Sequence, residues 1–302
     1  MSNLFSFQDL DGHYTIRVFG IKFSIRHKCN FNYKPATEYG ITPEKRNPQL
    51  IVSLTSYPGR INTTHLAVNT LLRQSIKPDK VILWLADEQF PNKENDLPDE
   101  LLKLKEYGLE IKWCEDIRSY KKLIPALKEF PEDIIVTADD DIYYEEDWLE
   151  SLYDSHKKNP TSLIAQRVRR LKIENNEIRV LPNKIFMDWD LSKPEYFNQL
   201  LGGTGCLYPP HSLYKDIYDF EKAMKLLPTN DDIYFWAMAV LNHTEIGVAK
   251  GFKGDLYQMT FNSSLSDENV ILGKSSKTNP FKIICSEYNQ IIDILNSEKG
   301  DE

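Results

Sequence analysis

Short apolar runs alternate along the chain with segments of helical periodicity, and this alternation predicts the fold. A short buried strand is indicated at residues 50–54, and a second and a third strand are indicated at 81–85 and 109–113. Helical segments lie between them, near residues 63–74 and 100–107. Strands and helices that alternate at this spacing predict an α/β domain with a mixed, mainly parallel sheet flanked by helices.

A fourth apolar run, at residues 134–136, leads into three consecutive aspartates, Asp139, Asp140 and Asp141. Carboxylates at the mouth of a buried strand repel one another, so a divalent cation or a ring of donors has to neutralise them. Mn²⁺ or Mg²⁺ suits such a site, because it needs only one or two carboxylates when diphosphate oxygens and water complete its shell. We expect Asp139 and Asp141 to bind it. The alternative is a solvated acidic turn that caps the following helix.

Polar and aromatic side chains follow the first two strands, at the edge where ligands collect in open α/β sheets. Thr55, Ser56, Tyr57 and Arg60 come after the first strand, and Asp87 comes after the second. The ring of Tyr57 could stack on a base, and Arg60 could meet a phosphate. Asp87 could accept hydrogen bonds from a base or a ribose. Ordinary turn chemistry is the alternative.

Two later stretches carry further candidate chemistry. The glycine-dense segment at residues 201–210 predicts a backbone that approaches something closely or adopts positive φ. We expect Gly202 and Gly203 to line a ligand, with a plain tight turn as the alternative. Asp231 and Asp232 precede a strongly apolar helix. One carboxylate is enough for a helix cap, so the other is a candidate general base.

The two ends of the chain predict smaller units. Residues 14–27 alternate apolar and polar positions around a central break, which indicates a β-hairpin. Basic residues share one face of it, so contact with a membrane surface is the alternative to simple packing on the main domain. We therefore divide the chain into a hairpin and linker at 1–48, a catalytic domain at 49–265, and a mobile loop and C-terminal helix at 266–302.

Composition narrows the classes of function. The chain has 302 residues and is 41% hydrophobic, enough for a large core. A net charge of −8 argues against nucleic acid as a partner, because phosphate contacts need a basic face. The four cysteines are far apart and form no CxxC pair, which disfavours structural zinc and a disulfide framework. We find no leader peptide and no membrane-spanning apolar run, so we expect a cytoplasmic protein.

No glycine-rich dinucleotide fingerprint and no P-loop motif is present. Four motifs together resemble the GT-A superfamily of nucleotide-sugar-dependent glycosyltransferases, in particular small family 2-like bacterial enzymes of capsule and lipopolysaccharide synthesis. They are VSLTSYPGRI at 52–61, VTADDDIYY at 136–144, GGTGCLYPP at 202–210 and NDDIYFW at 230–236. The leading hairpin is also similar to the N-terminal segment of such enzymes. The resemblance implies a Rossmann-like GT-A fold and metal-dependent transfer of a sugar from a UDP-sugar to a glycan or lipid-linked saccharide acceptor.

The resemblance also implies roles on the donor side of the site. Asp139 and Asp141 would be the DxD pair that binds Mn²⁺ or Mg²⁺ beneath the donor diphosphate, and Asp140 would lie near the ribose or the sugar. Lys122 falls where a basic residue commonly approaches the donor. Four further residues match positions that surround the nucleotide: Thr55, Tyr57, Arg60 and Asp87.

On the acceptor side, inverting members keep their general base in an acidic pair at the head of a helix, here Asp231 or Asp232. A single in-line displacement assisted by such a base inverts the anomeric centre, so we expect inversion. Many members add a C-terminal histidine as a further metal ligand. The last histidine of this chain is His243, so Asn262 or water would take that place.

Two other classes of protein compete with this interpretation. A sugar nucleotidyltransferase shares a similar sheet, but it usually has a glycine-rich, basic stretch after its first strand, where this chain has only Gly59 and Arg60. A non-catalytic sugar-binding module has little need for a second acidic cluster. Release of nucleoside diphosphate would indicate a glycosyltransferase, and release of pyrophosphate would indicate a nucleotidyltransferase. Donor binding without either product would favour the sugar-binding module.

Overall fold

The computed structural model describes most of the chain: residues 5–10, 13–18, 21–26, 34–181, 191, 193–252, 256–258 and 279–299. In chain order the strands are β1 (Phe5–Leu10), β2 (His13–Val18), β3 (Ile21–Arg26), β4 (Leu50–Thr55), β5 (Lys80–Ala86), β6 (Leu109–Cys114), β7 (Ile134–Ala138), β8 (Ile142–Tyr144), β9 (Leu163–Ala165), β10 (Val168–Glu174), β11 (Glu177–Val180), β12 (Asn198–Leu200), β13 (Cys206–Tyr208), β14 (Ile246–Val248) and β15 (Leu256–Gln258). The α-helices are α1 (Ile61–Leu71), α2 (Asp99–Leu102), α3 (Ile124–Glu129), α4 (Trp148–Lys158), α5 (Phe220–Leu226), α6 (Asp231–Leu241), α7 (Pro280–Glu287) and α8 (Gln290–Lys299).

Seven strands form the central sheet, in the spatial order β14, β9, β13, β7, β4, β5, β6. Neighbouring strands pair in parallel, except that β13 runs antiparallel to both β9 and β7. The prediction of a mixed, mainly parallel sheet flanked by helices is therefore confirmed. The parallel strands all end at one edge of the sheet, and β13, which runs the other way, begins at that edge.

Both faces of this sheet are covered by hydrophobic cores, and alternate residues of β4 point into one core or the other. Ile51 belongs to the core on one face, whereas Leu50, Val52 and Leu54 belong to the core on the other. Helices α3, α6, α7 and α8 contribute to the first core, and α1, α2 and α4 contribute to the second. Burial on both faces explains why β4, β5 and β7 have continuous apolar runs, whereas the edge strand β6 is only partly buried and includes Glu110 and Lys112.

Some predicted elements differ from the observed ones at their boundaries. The predicted helix at residues 100–107 is the short helix α2 continued by a 3₁₀ turn, Lys103–Tyr107. The single helix predicted at the C-terminus is two helices, α7 and α8, separated near Tyr288. The hydroxyl of Tyr288 donates a 2.7 Å hydrogen bond to Oδ2 of Asp216, which fixes the break against the body of the domain.

The N-terminal segment forms a three-stranded antiparallel sheet, β1-β2-β3. The predicted hairpin is confirmed as β2 and β3, with Val18 opposite Ile21, while β1 is an additional strand. In the segment predicted as a linker, Ala36 is buried and Arg46 forms a 2.8 Å ion pair with Asp79. The described part of that segment therefore packs on the domain, and the domain boundaries themselves stay a prediction.

Within the described ranges, no helix combines the length and apolar character needed to cross a bilayer. The cysteines of these ranges, Cys114, Cys206 and Cys285, are free thiols. Cys29, Asn262 and the predicted loop at 266–277 lie outside the described residues.

Candidate active site

Strand β7 carries the aspartate turn to the edge where the parallel strands end. Asp140 and Asp141 are only 4% and 5% exposed, so the alternative of a solvated acidic turn is wrong for them. Asp147 stands at the N-cap of α4 but makes no capping side-chain hydrogen bond. Burial of adjacent carboxylates needs compensating donors, and the neighbouring segments supply them.

The turn after β4 provides the first set of donors. Arg60 donates a 2.8 Å hydrogen bond to Oδ1 of Asp140 and lies 3.1 Å from Oδ2 of Asp141. The hydroxyl of Ser56 donates to Oδ2 of Asp140 at 2.5 Å. Burial raises the pKa of Asp140 to about 6, although Arg60 and Ser56 oppose the shift. The structure thus brings Ser56 and Arg60, two of the predicted binding residues, onto the aspartate turn.

The other predicted nucleotide contacts do not touch the aspartates. The hydroxyl of Thr55 donates to the carbonyl oxygen of Trp84 at 2.8 Å, across to β5. Tyr57 is 39% exposed, and the guanidinium of Arg60 lies 5.8 Å from its ring centroid. Asp87, at the end of β5, is half-exposed and pairs with Lys93. The exposed ring of Tyr57 and the half-exposed carboxylate of Asp87 lie after adjacent strands, where a ligand can reach both.

Lys122 provides the second set of donors. It ends a 3₁₀ turn, Arg118–Lys122, whose position is fixed by a 2.6 Å hydrogen bond from Ser53 Oγ to the carbonyl oxygen of Lys122. The side chain is 4% exposed, and its Nζ donates to Oδ1 of Asp139 at 2.9 Å. The same Nζ lies 3.0 Å from Oδ2 of Asp231. The sequence predicted Lys122 near the donor but gave no sign of this second contact.

The charges around Lys122 decide its protonation state. Burial lowers the pKa of this ammonium, but the carboxylates of Asp139, Asp231 and Asp232 outweigh that effect and raise it well above its ordinary value. Lys122 is therefore a permanent positive charge between the two acidic clusters.

The first turn of α6 carries the second acidic cluster. Asn230 is the N-cap and makes no capping side-chain hydrogen bond. Oδ2 of Asp231 is buried and has no hydrogen-bond donor aligned with it, although Lys122 is at ion-pair distance. Asp232 is partly buried and accepts a hydrogen bond from the backbone N–H of Gly202. Burial, together with the negative charge of Asp231, raises the pKa of Asp232 to about 7.

The glycine turn lies between the two clusters. A Cβ atom on Gly202 would be 2.4 Å from Oδ1 of Asp232, and one on Gly203 would be 2.7 Å from Oδ2 of Asp139. Both distances are so short that even a methyl group would require the carboxylate beside it to shift, which favours glycine at these positions. The predicted close approach is confirmed, but the groups approached are the protein's own carboxylates. The contact of these glycines with a ligand stays a prediction.

A metal ion at this site would depend on few protein ligands. Over the ranges that the structure describes, no group of three His, Cys, Asp or Glu side chains is placed to hold a metal. His243 is exposed and lies beyond Leu241, the last residue of α6, which is about 14 Å along the helix from Asp232 at a rise of about 1.5 Å per residue. Asp139 is 32% exposed, and its Oδ2 faces Gly203 rather than Lys122. The residues present fit a cation held by one or two carboxylates and otherwise by a bound diphosphate.

Comparison with known proteins identifies the family. No curated protein matches the chain. The family model described as glycosyl transferase family 2 matches residues 65–219, half of the chain. This range contains Lys122, the aspartate turn and the glycine turn, while the turn after β4 and the acids of α6 lie outside it. By this match, the chain belongs to glycosyl transferase family 2.

Proposed function

We propose that this protein is a metal-dependent, inverting glycosyltransferase that moves a sugar from a UDP-sugar to a hydroxyl of a glycan or lipid-linked saccharide, in the synthesis of a bacterial surface polysaccharide. The observation that carries the proposal is that one buried ammonium, Lys122, contacts both Asp139 and Asp231. This contact holds Asp139, a candidate ligand of the donor's cation, next to the acidic pair of α6, which contains the candidate base. Family membership supports glycosyl transfer over the nucleotidyl transfer considered above.

On the donor side, Asp139 and Asp141 would hold Mn²⁺ or Mg²⁺. When bound, the cation stabilises the negative charge that develops on the diphosphate leaving group. Arg60 holds Asp140 and Asp141 in place, and it also lies beside the exposed ring of Tyr57, on which a base could stack. The aspartate turn therefore has fixed geometry before a donor arrives, which lowers the cost of organising the site.

On the acceptor side, Asp232 is the better candidate for the base. Asp231 forms an ion pair with Lys122, whereas the pKa of Asp232 is raised to about 7 by burial and by the negative charge of Asp231. A general base works best when its pKa is near the working pH. Asp232 would take the proton of the acceptor hydroxyl while that oxygen bonds to the anomeric carbon and the bond to the diphosphate oxygen breaks on the opposite face, which inverts the configuration.

The donor site is tested by calorimetric titration of UDP in the presence of Mn²⁺ and in the presence of EDTA. We expect binding that needs Mn²⁺ and is lost in Asp141→Ala. Glu146→Ala is the matched control, because Glu146 belongs to the same acidic stretch but is exposed and pairs with Arg73. Strong UDP binding that is unchanged by EDTA and by Asp141→Ala would contradict the proposed role of the aspartate turn.

The reaction itself is tested by a screen of UDP-sugars with saccharide acceptors, in which release of UDP is measured. NMR of the product then gives the anomeric configuration. An inverted centre supports the single displacement assisted by Asp232. A retained centre would exclude that step while leaving glycosyl transfer intact.

A further inference from the structure

The hydroxyl of Tyr144 joins two segments of the site. It accepts a 2.7 Å hydrogen bond from the backbone N–H of Asp139 and donates a 2.9 Å hydrogen bond to the carbonyl oxygen of Gly203. A phenol has a single O–H donor, and here that donor is committed to the glycine turn. The side chain is 1% exposed, so water does not compete for these bonds. Asp139 belongs to the aspartate turn, and Gly203 belongs to the turn before β13.

A second aromatic residue holds the next carbonyl of the same turn. Nε1 of Trp148 donates a 2.9 Å hydrogen bond to the carbonyl oxygen of Thr204. The rings of Tyr144 and Trp148 pack together with centroids 4.4 Å apart. Gly205 has φ of 107° and passes so near the indole that a Cβ atom there would be 2.4 Å from it. Two packed rings, with planes tilted by 47°, therefore hold consecutive carbonyl groups of the glycine turn.

The position of that turn limits where the acids can lie. Its backbone is in close contact with Oδ2 of Asp139 through Gly203 and with Oδ1 of Asp232 through Gly202. A displacement of the Gly203 carbonyl would therefore open or crowd the space between the two carboxylates. The hydroxyl that holds this carbonyl also holds the backbone N–H of Asp139.

We propose that Tyr144 is a positioning residue for the transfer reaction, whose hydroxyl ties the aspartate turn to the glycine turn and so sets the separation between Asp139 and Asp232. The inference rests on the proposed function, because it takes Asp139 as a donor-side ligand and Asp232 as the base. It does not require that Tyr144 touch either substrate.

Removal of the hydroxyl alone, in Tyr144→Phe, tests the proposal because the ring and its packing are kept. Tyr234→Phe is the matched control: Tyr234 is equally buried, and its hydroxyl also donates to a backbone carbonyl, that of Asp216, at 2.9 Å. Tyr144→Phe loses two buried hydrogen bonds and Tyr234→Phe loses the one to Asp216, so a somewhat larger loss in the thermal unfolding midpoint is expected for Tyr144→Phe. Only Tyr144→Phe loosens the site.

We expect kcat of Tyr144→Phe to fall roughly 10- to 100-fold, since small misplacements of reacting groups are costly. The KM for the donor should change by no more than about threefold, because binding contacts are retained. Tyr234→Phe should keep kcat within about twofold. Amide hydrogen exchange at Asp139 and over residues 202–205 should accelerate in Tyr144→Phe and not in Tyr234→Phe.

Two outcomes would overturn the proposal. One is an active Tyr144→Phe with wild-type kcat, and the other is a loss of kcat in both variants that only follows their loss of stability. Failure of the proposed function looks different, because the wild-type protein would then show no turnover with any donor. In that case unchanged exchange at Asp139 in Tyr144→Phe would separately overturn the tie between the two turns.

Discussion

Lys122 and Asp231 form an ion pair inside the protein, with Nζ 3.0 Å from Oδ2. The lysine is 4% exposed and the aspartate 8%, so neither charge is solvated by water. The same ammonium donates to Asp139, and Asp232 adds a further negative charge nearby. One positive charge thus compensates carboxylates from two separate segments of the chain.

Replacement of this lysine should be costly. We expect Lys122→Met to lower the free energy of unfolding at pH 8 by about 3–5 kcal/mol, because it leaves buried carboxylates unpaired. Lys121→Met is the control: Lys121 is also buried, but its partner Asp116 is 31% exposed and can be solvated. We expect that change to cost about 1 kcal/mol. Equal losses in urea unfolding would show that the acids are not held by Lys122.

The two acids of α6 should differ in function. We expect Asp232→Asn to lower kcat by roughly 10²- to 10⁴-fold, the usual contribution of a general base, and to leave UDP affinity unchanged. Asp231→Asn keeps Asp232 and leaves Lys122 paired with Asp139, so a smaller loss of kcat is expected. Steady-state kinetics together with calorimetry measures both effects. A larger loss for Asp231→Asn would assign the base to Asp231 instead.

The raised pKa of Asp232 predicts opposite pH dependences for rate and stability. The base is active when deprotonated, so kcat should rise with pH through about 7 and then level off. The folded state binds this proton more tightly than the unfolded chain, so Asp232 contributes most to stability below its ordinary pKa of 3.8, and that contribution is lost as pH rises towards 7.

Kinetics from pH 5 to 9 checks the rate and urea unfolding from pH 4 to pH 8 checks the stability, each with Asp232→Asn beside wild type. The variant should lack the acidic limb of the kcat profile, and its stability relative to wild type should increase from pH 4 to pH 8. A wild-type rate that is flat across pH 7 would contradict the assignment of the base.

The two central glycines should affect different steps. In Gly203→Ala the new methyl group would press on Oδ2 of Asp139, so we expect weaker UDP binding in the presence of Mn²⁺. In Gly202→Ala it would press on Oδ1 of Asp232, so we expect a lower kcat with little change in UDP affinity. Each variant is the control for the other. Identical losses in both measurements would mean that the turn unfolds as a unit.

Much of the fold follows from the sequence because β4, β5 and β7 are apolar runs of strand length that alternate along the chain with helical segments. Their parallel arrangement also predicts that the polar segments after these strands meet at one edge, although the ion pairs of Arg60 with Asp140 and Asp141 were not predicted. The density of glycine in the sequence likewise predicted that the backbone passes close to other groups, as it does at Gly202 and Gly203. These features depend on local pattern and on a general rule of sheet geometry.

The rest depends on contacts that no local pattern encodes. Strand β13 has three residues, too few for a periodicity, so its antiparallel insertion between β7 and β9 could not be predicted. That insertion places the glycine turn between the acids. The contact of Lys122 with Asp231 joins residues more than a hundred positions apart, and the bonds of Tyr144 depend on where the glycine turn lies. The break at Tyr288 was missed for the same reason. Strand β1 pairs with its chain neighbour β2, and the Asp11-Gly12 dipeptide between them was a local hairpin signal that we did not use.

The reversed direction of β13 has a practical consequence for handling the protein. Because this strand begins at the edge that carries the acids, it ends at the opposite edge, where Tyr208 pairs with Ile135. The turn that follows holds His211, whose Nε2 lies 3.0 Å from Oε2 of Glu132, and both side chains are well exposed. A fluorophore or surface linker attached through cysteine at either position would leave the acid-bearing edge facing solution, so immobilised or labelled protein should bind donor as the free protein does.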